Sequence, residues 1–98
     1  MRLVRRDRNH KEIADALMAA GCSVWDAAHV GGGFPDLVVG RVVAGGRRRT
    51  YLLEVKDGTL PPSRRALNDA ERAWHDAHLG QRAVVLSVED ALRACELL

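Results

Sequence analysis

The sequence predicts a single α/β domain, one sheet with helices on its faces. Three observations carry that expectation. Stretches with helical apolar spacing lie at 10–20, 69–79 and 88–98. Short apolar runs lie between them, at 22–28, 36–43, 50–56 and 82–86. Two of these runs, 36–43 and 50–56, flank a Gly-containing loop and are apolar on both faces, as in mid-sheet strands covered from both sides. The order is αβββαβα.

Each element has its own signals. Asn9 stands before the first helix with Glu12 three residues on, the capping-box spacing. Ile13, Ala16, Leu17 and Ala20 form its apolar stripe, and Gly21 ends it. CSVWDAA (22–28) reads as a first strand, and Gly31-Gly32-Gly33 suits no regular element. DLVVGRVV and TYLLEVK are the second and third strands, with 44–49 as the hairpin loop. After DGTLPPSRRA, Asn68 and Glu71 open a second helix that runs to about Leu79. RAVVL is a fourth strand, and Ser87 with Asp90 opens a last helix.

With 98 residues, the chain suffices for one domain, spanning 1–98. Its 47% hydrophobic and 29% charged content fits a soluble globular protein. No apolar run approaches the ~20 residues of a membrane span. MRLVRRDRNH has no apolar stretch behind it, so no secretory signal is expected and a cytoplasmic location is. Cys22 and Cys95 lack any paired spacing and read as two reduced thiols. Net charge is only +2, but residues 1–66 carry twelve Lys/Arg against seven Asp/Glu, and 67–98 carry three against six. Thirteen of the cations are Arg, whose planar fork suits phosphate.

The chemistry concentrates in Pro35-Asp36 and Glu54-Val55-Lys56. Side chains alternate along a strand, so Glu54 and Lys56 share a face. The hairpin makes its two strands antiparallel, which brings Asp36 beside Glu54 and Lys56. Two carboxylates with a backbone oxygen and water suit Mg²⁺, which polarises a phosphodiester and acidifies water. Lys56 would orient or deprotonate that water, or stabilise charge on the phosphate. The three glycines leave room for a backbone or phosphate near Asp36.

This pattern resembles the PD-(D/E)XK nuclease superfamily, whose αβββαβ core, like that of restriction endonucleases, corresponds to residues 9–86 and is followed here by a C-terminal helix. GGGFPDLVVG with YLLEVKDG looks like the small stand-alone VRR-NUC nucleases, many encoded by phages. The resemblance implies Mg²⁺ or Mn²⁺ dependence and hydrolysis of DNA phosphodiesters, often by structure rather than sequence, as in branched DNA such as a Holliday junction. It implies Asp36, Glu54 and the Val55 carbonyl as metal ligands, Lys56 as the catalytic cation, and Glu12 as an added acidic residue. The family's Gln on the next helix has Arg72 as its nearest counterpart. A non-catalytic nucleic-acid-binding module on the same fold is the alternative.

Other residues divide between plain and functional roles. Glu12 is also explained by helix capping, and His10 as a first-turn surface residue. Arg5, Arg6, Arg8, Arg64 and Arg65 are the expected DNA-backbone contacts. Arg47, Arg48 and Arg49 read as a solvated hairpin tip or a hold on distal DNA. His75 and His78 have one-metal helix spacing but no third ligand. Trp74 is expected in the core, and Trp25 has no clear side. A homodimer is expected, because cutting both strands of a duplex or junction needs two sites and one chain offers one. Ala91, Leu92, Cys95, Leu97 and Leu98, with more apolar surface than one face needs, are the candidate interface. Neither a small-molecule cofactor nor a membrane contact is expected.

Overall fold

A computed structural model describes residues 7–98. Its centre is a hairpin of β2 (Leu37–Val42) and β3 (Arg48–Val55), flanked by β1 (Ser23–Asp26) and β4 (Arg82–Val85). The sheet order is β1-β2-β3-β4, so β2 and β3 are the central strands, as their two apolar faces require. β1·β2 and β2·β3 are antiparallel, and β3·β4 is parallel. Three helices complete the domain: α1 (His10–Ala19), α2 (Asp69–Ala77) and α3 (Val88–Ala94).

Strand alternation divides the sheet into two unlike faces. Leu37, Val39, Tyr51, Leu53 and Val55 point to one face and pack with Ile13 and Leu17 of α1, Val85, and Ala91 and Cys95 at α3. Full burial of such an aliphatic side chain contributes about 1.5–3 kcal/mol. The opposite face carries Glu54, and Lys56 just past the strand end, under α2.

Several boundaries move from the expected ones. β3 starts two residues early, because Gly45 (φ 85°) and Gly46 (φ 77°) close the hairpin in a tight 3-10 turn. Arg48 and Arg49 are therefore strand residues paired with Val42 and Arg41, not loop tip. β1 is shorter than 22–28, because Asp26 Oδ1 accepts from Ala28 N and turns the chain. α2 ends at Ala77, where His78 is already extended.

The Asn9 cap is a correction. Asn9 makes no side-chain cap bond; its Nδ2 donates to Lys56 O (3.1 Å) and Leu86 O (2.9 Å), tying together the ends of the parallel strands β3 and β4. Tertiary demand has overridden a local capping signal. Asn9→Ala is therefore expected to cost about 1–3 kcal/mol in urea denaturation, the cost of leaving the part-buried Lys56 carbonyl unpaired, while the Leu86 carbonyl still accepts from Gly58 N. Asn9→Asp and Asn9→Ser, both good caps, should not restore it; full rescue by either would return Asn9 to a capping role. The caps of α2 and α3 are as expected: Asn68 and Glu71 form a complete capping box, and Ser87 Oγ accepts from Asp90 N.

His10 is a second correction. It is buried against the sheet with Nε2 3.5 Å from Asp26, since the helix turns its first residue inward. The C-terminal segment is a third. Ala91 and Cys95 are buried in their own core, Leu92 and Leu97 pack against it, and only Leu98 stays broadly exposed. Arg41 donates to the Cys95 and Glu96 carbonyls, while Arg49 and Tyr51 bind the Glu96 carboxylate. This surface is thus largely used within the chain. Among the described residues no helix is long and apolar enough to cross a membrane.

Candidate active site

The β2·β3 register pairs Leu37 with Leu53, which brings Asp36 level with Glu54 at one end of the sheet. Asp36 Oδ2 accepts from Val55 N at 2.8 Å, so the carboxylate is fixed by β3 backbone rather than by a surface cation. In extended chain the N–H and C=O of one residue lie on the same strand edge. The Val55 carbonyl is thereby directed to the Asp36 side. Lys56 N turns the other way, to Val85 O on β4.

Glu54 is 3% exposed, and its Oε1 is buried with no hydrogen-bond partner among the described residues. Burial, then the adjacent Asp36 carboxyl, pushes its pKa up to about 10. Lys56 Nζ lies 3.9 Å from Glu54 Oε2 and 2.9 Å from Glu71 Oε1. Burial works to lower the Lys56 pKa, but the hydrogen bond and charge of Glu71, with Glu54 and Asp7, outweigh it and raise the value. In the metal-free site these carboxylates favour the ammonium form of Lys56, a donor and a cation.

Two carboxylates join this cluster that sequence reasoning did not assign to it. Glu71 Oε1 accepts from both Asn68 N and Lys56 Nζ. Its capping-box position explained the residue completely, so the second duty of the same oxygen had no separate signal. Glu71, not Arg72, is the α2 residue turned to the site; Arg72 is exposed because it falls on the outer side of the helix. Asp7 is the second. It faces Lys56 and Asp36, and partial burial raises its pKa. It lies before α1, where no periodicity could place it.

The remaining candidates are dispersed. Glu12 is exposed and borders a separate groove with Asn9, Asp57, Thr59 and Arg65, so the structure does not bring it to Asp36. Arg65 Nη1 donates to Gly58 O at 2.8 Å and clamps the loop after β3. Arg64 and Arg8 are exposed, and Arg5 and Arg6 lie outside the described residues. Trp74 is half-buried, edge-on to Phe34 at 5.3 Å and stacked on His78 at 4.6 Å. The glycine loop is not an open approach to Asp36. Gly33 (φ 85°) lies so near α2 that a Cβ there would sit 2.2 Å from Ala70 O.

Among the described residues no three His, Cys, Asp or Glu side chains form a ready-made metal cage. Mg²⁺ does not require one, since it is commonly bound by one or two carboxylates and keeps several waters. The unpartnered Glu54 Oε1 beside Asp36, with a backbone carbonyl on the same side, is an oxygen donor set of that kind. No protein-family model, curated protein or solved structure matches this chain.

Proposed function

We propose that the chain is a metal-dependent DNA endonuclease of the PD-(D/E)XK type, similar to the VRR-NUC nucleases and acting on branched DNA. The observation that carries this reading is the meeting of Asp36, the unpartnered buried Glu54 oxygen and the Lys56 ammonium at one sheet end. Asp36, Glu54 and the Val55 carbonyl would hold Mg²⁺ or Mn²⁺, which supplies Lewis-acid polarisation of the scissile phosphate. Lys56 donates to the reacting phosphate or to the attacking water, and Glu71 sets its direction. The alternative is a binding module without catalysis. Charge argues against it: even with Glu54 holding its proton in metal-free protein, Asp7, Asp36 and Glu71 outnumber Lys56, and such a cluster repels a phosphate unless a cation joins it.

The test is cleavage of labelled single strands, duplexes, flaps and four-way junctions with Mg²⁺, Mn²⁺ or chelator. Metal-dependent nicking is the expected result; activity that survives exhaustive chelation excludes the mechanism. Paired cuts on a junction need two sites, so the active form is proposed to be a homodimer, checked by light scattering at micromolar concentration. DNA affinity should fall steeply with salt. Arg64→Gln should flatten the slope by about one phosphate equivalent. Arg65 is the poorer probe, because its guanidinium already holds the Gly58 carbonyl.

A further inference from the structure

The face of the sheet that bears the site is covered unevenly. α2 lies over its β3 side, where Glu71 reaches Lys56, and where Thr50 and Leu52 share a pocket with His78 and Leu79. Among the described residues no helix covers the β1–β2 side of that face. Trp25 on the edge strand is 71% exposed, and Val42 at the far end of β2 is 60% exposed. Trp25 pairs with Val38, so its ring stands on the same face as Val38 and Asp36. Asp36, just before β2 and still laddered to β1 through Ala27 N, is its diagonal neighbour, at a Cβ separation somewhat under about 7–8 Å for such pairs. A large aromatic exposed to water one strand from a catalytic carboxylate contributes nothing to the core.

The same strip leads to cations. From Asp36 to Val42 the strand runs about 20 Å at the usual rise, room for a few nucleotides. Gly40, midway, raises no side chain. Ser23, Gly40, Arg48 and Thr50 border a shallow groove of about 400 Å³. Arg48 pairs with Val42 and shares its face, and Arg47 adjoins it. Both are exposed, and among the described residues neither has an ion-pair partner, whereas Arg41 and Arg49 are engaged at the chain end. Aromatic platform and unpaired cations along one groove are what a single strand needs, stacking for bases and charge for backbone.

We propose that this open half of the sheet is a track for an unpaired nucleic-acid strand. Trp25 stacks a base flanking the cleavage position, and Arg47 and Arg48 hold backbone phosphates at the far end. The proposal rests on the nuclease reading of Asp36 and adds a substrate class to it: strands that are unpaired on one side of the cut. A paired duplex buries its bases and offers Trp25 no ring to stack on.

The experiment measures binding of a short oligothymidylate and of a blunt duplex to the full chain with Ca²⁺ in place of Mg²⁺. Ca²⁺ fills an oxygen site with looser geometry, and the DNA is checked as uncut after each titration. Trp74→Phe leaves Trp25 as the sole indole, and its fluorescence should be quenched by the oligothymidylate. Trp25→Ala should weaken single-strand binding about tenfold or more, with duplex binding changed much less, and Trp25→Phe should restore most of the loss. Equal single-strand affinity in a folded Trp25→Ala chain overturns the proposal. So does light scattering in which Trp25→Ala turns a dimer into a monomer without altering oligothymidylate binding, since Trp25 would then face a second copy. The two readings separate cleanly. If the quench occurs but the wild-type chain cuts no substrate with Mg²⁺ or Mn²⁺, the track stands and the nuclease reading fails. If cutting occurs without the quench, the reverse holds.

Discussion

Asp36→Ala, Glu54→Ala and Lys56→Ala are each expected to lower metal-dependent cleavage about 10³-fold or more, with the fold intact by circular dichroism. Each removes part of one unit, in which the buried Glu54 oxygen, the backbone-held Asp36 and the Lys56 ammonium meet. Residues that act as a unit lose their contribution together, so the double variant Asp36→Ala/Lys56→Ala should be little worse than either single one. Simple multiplication of the two losses would mean separate roles. Full activity in one single variant would remove that residue from the mechanism. Glu71→Gln should be milder and informative in a different way. It keeps an acceptor for Lys56 but removes the charge that holds the ammonium, so the basic limb of the pH–rate profile should move to lower pH.

The same geometry has a stability consequence of opposite sign. In metal-free protein, burial and then Asp36 raise the Glu54 pKa to about 10. A carboxyl raised on folding binds its proton more tightly in the native state than in the unfolded one. Its contribution to stability is full below the ordinary carboxylate range and is lost as pH rises towards 10. Glu54→Gln, neutral at every pH, should therefore be more stable than the wild type at neutral and alkaline pH in chelator, while inactive. Denaturation midpoints from pH 5 to 9 check this. A wild-type chain whose stability rises across that range relative to Glu54→Gln contradicts the buried, uncompensated Glu54.

Why some of this was legible in the chain and some was not has a physical cause. Period-2 alternation and a short connection are local properties, so Asp36, Glu54 and Lys56 could be brought to one sheet end from spacing alone. The central position of β2 and β3 followed from their two apolar faces. What spacing cannot give is how a residue already satisfied by a local rule is used again at long range. Asn9 has the pattern of a cap and spends its amide on two strand ends 47 and 77 residues away. Glu71 has the pattern of a capping-box partner and also holds Lys56. Glu12, placed by family resemblance, is displaced from the cluster, while Asp7, with no pattern of any kind, faces it. The parallel β3·β4 pairing and the exposure of Trp25 depend on packing across the whole sheet.

Gly33 is the backbone position at which the largest loss of stability is expected. Its φ of 85° strains any L side chain, and a Cβ would meet Ala70 O at 2.2 Å and Ala70 C at 2.4 Å. The obstacle is helix backbone, which cannot swing aside as a side chain can. Gly32→Ala is the control, because Gly32 has φ 66° but open space around it. Conformational strain alone should cost about 1–2 kcal/mol at Gly32. Gly33→Ala carries that strain and an overpacking cost of about 1–3 kcal/mol besides, so about 3 kcal/mol in total is expected by urea denaturation. Ala70 and Glu71 are adjacent in the first turn of α2. Moving that turn to admit a methyl group draws Glu71 from Lys56, so Gly33→Ala should also lose most cleavage, at temperatures where it remains folded, while Gly32→Ala keeps it. Equal stability and equal activity in the two variants would show that the glycine loop does not rest on α2 in solution, and would leave Glu71 without the support that aims it at the site.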